Sequence, residues 1–382
     1  MKLASVPAVD LVRYRAEFPV FEHQIYLNSC SLGALSRRSR VRVNQFLDEW
    51  DARGASAWYD VWWERLAELR GRYARVIGAD AGEIALHASV STASAVLASA
   101  LDYSGRRKVV TTELDFPTVA YQWLAKRPLG LELEIVRSPD GITVPADLLA
   151  RAIDDRTALV ATSHVFFTTG AIQDLRAVAD AAHARGALCF VDAYQSAGQV
   201  PIDVHATGVD FLCAGGLKWL LGGPGIAFLY ARTDLIPTLR PTVTGWFAHA
   251  QQFAFDPSEL AWQADARRFE QGTPALAAVH AQLGGLDVLE EIGLAEVRRA
   301  TAALTEDLIA RAVEQGFRPR IAPDASCRSA IVTLPSADPK ADVARLAARH
   351  IVTDARPGHV RISPFFYNTV EDHVAALGAL RS

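Results

Sequence analysis

Two side chains in the middle of the chain, Asp192 and Lys218, are of types that can act together in covalent catalysis. A lysine amine adds to carbonyl carbons, and it becomes a general base when burial lowers its pKa. Lys218 lies in the apolar, glycine-rich stretch 214–225, whereas the four other lysines lie in polar or turn-like sequence surroundings. The unusual position of Lys218 therefore indicates a specific role.

The sequence around these two residues predicts alternating strands and helices. Asp174 is expected to cap a helix that ends near Gly186, and a helix is expected over about Asp60 to Ile77, with Gly78 as its stop. Strands are predicted at Ala158–Val165, Ala187–Asp192, Val209–Ala214 and Ile226–Tyr230. Strand, helix and strand at this spacing predict an α/β fold with a mostly parallel central sheet.

Ligands of such sheets bind at the carboxyl ends of the strands. A carboxylate and an amine at that edge suit pyridoxal 5'-phosphate (PLP), because the lysine forms a Schiff base and the carboxylate keeps the pyridine nitrogen protonated. Phe116, in a loop after the strand Lys108 to Thr111, is a candidate for stacking on the cofactor ring. Ser91 and Thr92 open a helix, where free N–H groups favour a phosphate.

Each of these residues also has a purely structural interpretation. Ser91 and Thr92 suit an ordinary helix cap, Phe116 suits core packing, Asp192 suits a turn, and Lys218 suits a snorkelling surface amine. The conjunction of all of them favours the cofactor site over these separate interpretations.

From about Ala275 onward the pattern changes to long helices rich in Ala, Leu, Glu and Arg. A strand is predicted at Ala330–Leu334, helices near Asp342–Arg349 and Glu371–Leu380, and a capping box from Thr369 to Asp372. We therefore expect two domains, an N-terminal arm with a large α/β domain over 1–270 and a smaller α+β domain over 271–382.

Composition disfavours several classes of function. A formal net charge of -4 and a pI near 6.2 disfavour non-specific nucleic-acid binding, and the lack of a long apolar run disfavours a membrane span. Met1 to Asp10 does not resemble a secretory signal, so a cytoplasmic location is expected. The four cysteines have neither a disulfide-framework nor a metal-ligand spacing, so reduced thiols and no metal are expected.

Several motifs together resemble the class V branch of fold-type I PLP-dependent enzymes, and within it kynureninase. The resemblance covers about residues 22–375. It rests on segments spread along the chain: Tyr26 to Gly33, Phe116 to Thr118, Ser163 to Val165 with Thr169 and Gly170, Asp192 to Gly198, Lys218 before Gly222 to Gly225, Thr244 to His249, Phe253 to Pro257, Arg268 to Pro274, and Val360 to Pro364 with Tyr367 and Asn368.

The resemblance implies a role for each matching residue. Lys218 would form the Schiff base, Asp192 would pair with the pyridine nitrogen, and Arg361, with Arg356 as its rival, would hold the substrate α-carboxylate. The remaining cofactor-binding residues implied are Ser91, Thr92, Phe116, Thr169, Gln195, Trp246 and Thr273. Trp246 and Thr273 would reach the phosphate of a second subunit, which implies a homodimer with shared active sites.

The chain departs from the kynureninase pattern at three positions. Val119 replaces an aspartate, Gln195 replaces a histidine, and Leu217 replaces the tyrosine that precedes the Schiff-base lysine. Gln195 resembles the class V aminotransferases and cysteine desulfurases instead. Arg361 stands where one group of desulfurases has its persulfide cysteine, which argues against a persulfide mechanism.

These observations lead to three hypotheses of function. The first is an enzyme that forms an external aldimine and a Cα carbanion of an amino acid, with kynureninase-like cleavage or β-elimination of the side chain. The second is a class V aminotransferase or epimerase, and the third is a fold-type I protein that binds PLP or a partner without turnover. Aromatic residues are candidates either for an aromatic-accepting pocket or for the core: Trp58, Trp62, Trp63, Trp246 and Phe247.

Overall fold

The computed structural model describes residues 11–381, so the Met1 to Asp10 segment lies outside the described residues. The α-helices are α1 Arg37–Arg53, α2 Trp63–Ile77, α3 Val90–Ala100, α4 Pro117–Leu124, α5 Ala146–Ala152, α6 Leu175–His183, α7 Val204–Thr207, α8 Leu276–Ile292, α9 Leu294–Glu314, α10 Pro339–Ala348 and α11 Val370–Arg381. The strands are β1 Ile25–Tyr26, β2 Ile84–His87, β3 Lys108–Thr112, β4 Glu132–Val136, β5 Thr157–Ser163, β6 Leu188–Asp192, β7 Phe211–Gly215, β8 Ala227–Ala231, β9 Val332–Pro335, β10 Ile351–Val352, β11 Asp354–Arg356 and β12 His359–Ile362.

A seven-stranded sheet with the order β2-β8-β7-β6-β5-β3-β4 forms the centre of the molecule. The pairs from β4 through β3, β5 and β6 to β7 are all parallel, which confirms the predicted mostly parallel sheet. Strand β8 pairs antiparallel with both β7 and β2. The chain therefore reverses between β7 and β8, and residues 216–226, which include Lys218, make this reversal.

Both faces of the sheet are buried, as a parallel sheet requires. Alternate strand residues point to opposite faces, so Val110, Val160 and Val191 belong to one hydrophobic cluster, whereas Val109 and Leu159 belong to another. The first cluster includes residues of α2, α6 and α8, and the second includes residues of α3 and α4. The sheet is thus the middle layer of three.

Local signals in the sequence fix the ends of several helices. Asp174 accepts a hydrogen bond from the backbone N–H of Ala177 and so caps α6, as predicted. Gly78 ends α2 in the left-handed region, also as predicted. The start of that helix differs from the prediction, because Trp58–Trp62 form a π-helical turn before α2.

The C-terminal part contains an antiparallel sheet of order β11-β12-β9 beside α9, α10 and α11. The carboxylate of Asp372 accepts a hydrogen bond from the N–H of Thr369, which is one half of the predicted capping box. Strand β1 pairs with β10, and Asn28 bridges to Ser363, so the N-terminal arm lies against the C-terminal sheet. The division at residue 270 stays a prediction.

Two further findings concern burial and charge. Lys108, one of the lysines in polar sequence surroundings, is buried, and its amine binds the Ala152 carbonyl and the carboxylates of Glu134 and Asp154. Its partners come from elements distant in sequence, so no local pattern indicated them. Within residues 11–381, no helix combines the length and apolar character that a bilayer span requires.

Candidate active site

The carboxyl ends of β5, β6 and β7 bring the two central residues to one edge of the sheet. Asp192 is the last residue of β6, and its Cα pairs with Ser163 of β5 and with Cys213 of β7. Lys218 follows the end of β7 by three residues. The crossover connections of the parallel strands therefore place an acid and an amine at the same edge.

Asp192 is a buried carboxylate. Its Oδ1 accepts a hydrogen bond of 2.8 Å from the N–H of Tyr194. Burial raises the pKa of Asp192 to about 6, although the Tyr194 N–H and the charge of Lys218 favour its ionised form. A carboxylate whose charge is this costly has a strong electrostatic preference for a cationic partner.

Lys218 is half-buried and has a perturbed amine. Its Nζ lies 4.0 Å from the centroid of the Tyr194 ring, in a cation–π contact. Burial lowers the pKa of Lys218 to about 8, while the charge of Asp192 acts in the opposite direction. Within residues 11–381 the amine has no hydrogen-bond acceptor, so it is free to react.

Close backbone packing explains the glycines around Lys218. A Cβ on Gly33 would lie 2.1 Å from the Lys218 carbonyl oxygen, and a Cβ on Gly215 would lie 2.2 Å from the Tyr194 ring. The N–H of Gly33 also donates to the Leu217 carbonyl at 2.7 Å. The N-terminal arm therefore contacts the lysine segment directly, through positions where any larger residue would clash.

Phe116 directly follows Asp115, an acid that accepts several hydrogen bonds. The Asp115 carboxylate is buried and accepts hydrogen bonds from Thr111, Thr112, Thr162 and Ser163, which join β3 to β5. The next residue, Phe116, is 42% exposed and therefore is not a core residue. Its ring has one face-to-edge neighbour, Phe167, at a centroid distance of 5.1 Å.

The helix that Ser91 and Thr92 were expected to open is α3. Its cap is Ser89, whose hydroxyl accepts from the N–H of Thr92 at 3.1 Å, so Ser91 and Thr92 lie in the first turn. Ser91 is exposed and Thr92 half-buried. The Thr92 hydroxyl is also paired with Ser89, at 2.9 Å, whereas the N–H groups of Val90 and Ser91 and the Ser91 hydroxyl have no partner among residues 11–381, a combination that suits a phosphate.

Gln195 and Thr169 are both buried and already bonded. The Gln195 amide donates to the Cys30 carbonyl at 3.0 Å and accepts from the Trp219 indole at 2.9 Å. The Thr169 hydroxyl donates to the Ile142 carbonyl at 2.9 Å. Gln195 keeps a second amide proton for a ligand, whereas the single hydroxyl proton of Thr169 is committed.

Arg361 is 1% exposed and lies beside the lysine. Its Nη1 donates to the Phe167 carbonyl at 2.6 Å, and its Nη2 donates to the Asp354 carboxylate at 2.5 Å. Its Nε is buried and has no hydrogen-bond partner among residues 11–381. Arg356, half-buried, donates to the other oxygen of Asp354 at 2.8 Å.

Trp246 and Thr273 do not join this group within one chain. They lie in a cavity of about 300 Å³ that is lined by aromatic residues: Trp58, Tyr59, Trp63, Trp246, Phe247 and Phe253, with Ala55 and Thr273. Four of the five candidate aromatic residues therefore line this cavity. Trp62 is buried and instead borders a second cavity with Phe46 and Trp50, and its indole donates to Glu49.

Sequence reasoning missed several residues of the site: Tyr194 under the Lys218 amine, Asp115 behind Phe116, Asp354 between the two arginines, and His164 beside Asp192. The His164 N–H donates to the Asp192 carbonyl, and its side chain is buried with an unpartnered Nδ1. Burial lowers the pKa of His164 to about 4, so the ring is neutral. The tripeptide Ser163 to Val165 belongs to the sequence resemblance, but no spacing rule predicts a role for the histidine.

These residues fit PLP. The unbonded Lys218 amine suits the carbonyl carbon of the cofactor, the buried Asp192 suits the pyridine nitrogen, and the exposed ring of Phe116 suits one face. The first turn of α3 suits the phosphate. The orphaned Nε of Arg361 suits a substrate carboxylate.

Comparison with known proteins gives concordant results. The sequence model of the family described as aminotransferase class-V matches residues 36–375. An uncharacterized aminotransferase, YcbU, of Bacillus subtilis (strain 168) is 34% identical over 360 residues, which cover 94% of each chain. A kynureninase of Deinococcus radiodurans is 34% identical over 330 residues, covering 81% of this chain and 77% of that protein.

Solved structures show the same fold at lower sequence identity. The apo structure of a cysteine desulfurase from Thermococcus onnurineus NA1 superposes with a TM-score of 0.88 at 23% identity, covering 99% of this chain and 98% of that chain. A C-DES variant with glycine covalently linked to its PLP cofactor superposes with a TM-score of 0.89 at 22% identity, covering 96% and 98%. These likenesses confirm the expected fold-type I architecture.

Proposed function

Because the chain belongs to the class V aminotransferase family of PLP enzymes, we propose that it acts on an amino acid and cleaves or eliminates the substrate side chain. The observation that carries this proposal is the Lys218 amine. It is half-buried, lacks a hydrogen-bond acceptor among residues 11–381, and has a pKa lowered by burial to about 8, close to the carboxylate of Asp192.

Each residue of the site would have a separate role that follows from its chemistry. When bound, PLP supplies an electron-withdrawing ring that stabilises negative charge at the Cα of an amino acid joined to it. Asp192 would hold a proton on the pyridine nitrogen, and Phe116 would cover one ring face. Lys218 would hold the cofactor in the resting enzyme and, once released, would move the proton at Cα as a general base.

Cleavage or elimination of the side chain is supported by the similarity to kynureninases over most of the chain. The aromatic pocket around Trp246 would give such an enzyme a place for a bulky substrate side chain. The alternative is amino transfer or epimerisation, which is favoured by Gln195 and Leu217 and by the similarity to YcbU.

We also propose a homodimer with shared sites. Large aromatic side chains lie exposed near Trp246, which is itself 41% exposed: Tyr59, Phe253 and Phe255. An exposed aromatic patch of this kind is typical of a protein interface. A second copy covering it would bring Trp246 and Thr273 to the phosphate of the other subunit.

A spectroscopic comparison tests the role of Lys218. The purified protein supplied with PLP is expected to show a visible absorption band, and Lys218→Ala is expected to lose it, because no other amine of the described residues shares this environment. Lys340→Ala, which removes an exposed amine, serves as the matched control. A band that persists in Lys218→Ala would leave a protein that binds PLP without covalent attachment.

Product analysis then separates the two reactions. The protein is incubated with a panel of amino acids, with and without pyruvate or 2-oxoglutarate. Cleavage or elimination is expected to yield product without any keto acid, since no amino-group acceptor is consumed. Product that appears only when a keto acid is present would contradict the lyase proposal and favour amino transfer, and an inverted Cα without other products would favour epimerisation.

A further inference from the structure

Two arginines and one carboxylate form a compact charged cluster beside Lys218. Asp354 and Arg361 are paired residues of neighbouring antiparallel strands, β11 and β12, so their side chains project from the same face. Asp354 Oδ2 accepts from Arg361 Nη2 at 2.5 Å and from the Ser31 hydroxyl at 2.8 Å. Asp354 Oδ1 accepts from Arg356 Nη1 at 2.8 Å.

The carboxylate of Asp354 is therefore bonded by three donors on two oxygens. Burial acts to raise its pKa, but Arg361, Ser31 and Arg356 together hold the pKa of Asp354 below its usual value, so the group is ionised at neutral pH. Two guanidinium charges and one carboxylate leave the cluster with a single unit of positive charge. Lys218, whose charge interacts with both arginines, would be joined to the cofactor and so would not add to this charge.

A single unit of positive charge matches a substrate with one carboxylate in this region. Arg361 keeps one orphaned donor, its buried Nε, which is the place left for that carboxylate. Arg356 keeps unbonded N–H groups on Nε and Nη2 among residues 11–381, but its charge is offset by Asp354, which accepts from its Nη1 at 2.8 Å. A second substrate carboxylate that approached Arg356 would therefore also approach the ionised Asp354, and like charges in a partly buried site repel strongly.

We propose that Asp354 is a specificity-determining residue that restricts the site to amino acids with uncharged side chains and excludes dicarboxylic ones. The inference rests on the proposed function, and it names the substrate class for the same site. Asp354 acts by neutralising Arg356, which would otherwise be the natural ligand for a second carboxylate.

Binding measurements on the PLP-loaded protein test this inference. L-asparagine with L-aspartate, and L-glutamine with L-glutamate, are isosteric pairs that differ only in side-chain charge. Each is titrated against the visible absorption of the bound cofactor. The wild-type protein is expected to bind each amide at least about tenfold more tightly than its acid, and Asp354→Asn is expected to shift this preference about tenfold toward the acids.

Asp342→Asn is the matched control, because Asp342 of α10 also accepts hydrogen bonds from a serine hydroxyl and an arginine, but these partners, Ser336 and Arg345, do not belong to the cluster. It should leave the preference unchanged. An Asp354→Asn protein that binds amino acids with the wild-type preference would overturn the inference alone. If that variant does not fold, the affinities of the wild-type protein for the amides and the acids test the inference alone. Equal or tighter binding of the acids would then overturn it. No spectral change with any amino acid would overturn the proposed function as well.

Discussion

Burial lowers the pKa of the Lys218 amine, so that a far larger fraction of it is uncharged near neutral pH than for an ordinary lysine, and this property sets the pH range in which it can react. An ordinary lysine is almost fully protonated at pH 7 to 9, whereas the pKa of Lys218 is lowered to about 8. The same low-polarity surroundings raise the pKa of Asp192 to about 6, which makes its charge dependent on a cationic partner. Burial therefore disfavours the charged form of both groups. A neutral amine suits the electrophilic carbonyl carbon of the cofactor, and an acid that needs a cationic partner suits its basic pyridine nitrogen.

The lowered pKa of Lys218 predicts that the rate of cofactor uptake depends on pH. The apoprotein is mixed with PLP, and the rate at which the visible band appears is measured from pH 6 to 10. Only the neutral amine reacts, so a pKa lowered to about 8 predicts a rate that rises about tenfold from pH 7 to pH 9 and then levels off. Nα-acetyl-lysine, an unburied amine, is the control and should continue to rise toward its own pKa. A protein rate that keeps rising up to pH 10 without levelling off would show that burial does not perturb Lys218.

At the scale of single residues, the sequence predicts the site residues whose type is unusual for their surroundings. It does not predict residues whose role depends on how two strands pair. Lys218 and Asp192 stood out because a rare lysine and a strand-ending acid occurred in apolar surroundings. Asp354 did not, because its importance arises from the pairing of β11 with β12, which places it between Arg361 and Arg356. The close contact of Gly33 with the Lys218 carbonyl likewise joins parts of the chain that are far apart in sequence.

At the scale of elements, the loop after β3 depends on one buried acid. Asp115 lies at the junction of β3, β5 and the start of α4, and its two oxygens accept five hydrogen bonds. Burial raises the pKa of Asp115, so these donors are what keep its charge in place. Since Phe116 is the next residue, the same bonds fix where its exposed ring stands.

Replacing this acid by its amide should therefore cost stability and cofactor affinity together. In Asp115→Asn one oxygen becomes an N–H donor that faces other donors, and the expected loss is about 2–4 kcal/mol in the free energy of unfolding. Denaturant unfolding measures the loss, and PLP titration of the folded fraction is expected to show weaker binding.

The control for this prediction is Asp140→Asn. Asp140 also accepts several hydrogen bonds from its own loop, but it is exposed, so water can replace them. We expect a loss below about 1 kcal/mol there. Equal losses in the two variants would mean that burial is not what makes Asp115 important.

The strands around the site were predictable because each is a short apolar run between turn signals, and their order along the chain implied parallel pairing. The antiparallel pairing of β8 was not predicted, since a buried apolar run has the same appearance in either orientation. Its direction is decided by the reversal through residues 216–226, where Leu221 takes a left-handed conformation. That reversal is also the segment that presents Lys218.

At the scale of the whole molecule, the predicted cofactor residues fall into two groups that one chain does not bring together. Lys218, Asp192, Gln195 and Arg361 share one region, whereas Trp246 and Thr273 line the aromatic pocket. The sequence resemblance assigns both groups to one kind of site, and the proposed homodimer would bring the two groups together. No pattern within a single sequence distinguishes residues that meet in one chain from residues that meet across two.

Mixing two defective variants tests the shared site directly. Lys218→Ala lacks the attachment residue, and the double variant Trp246→Ala with Thr273→Val lacks the groups proposed to reach the neighbouring phosphate. Each alone is expected to bind little PLP. After mixing equal amounts and allowing subunit exchange, half of the dimers should be mixed, and one of the two sites in each should be intact, so about a quarter of the wild-type absorbance should return. Sedimentation is expected to show about twice the chain mass of 41.4 kDa. Full PLP binding by the unmixed double variant, or no recovery on mixing, would instead place each site within a single chain.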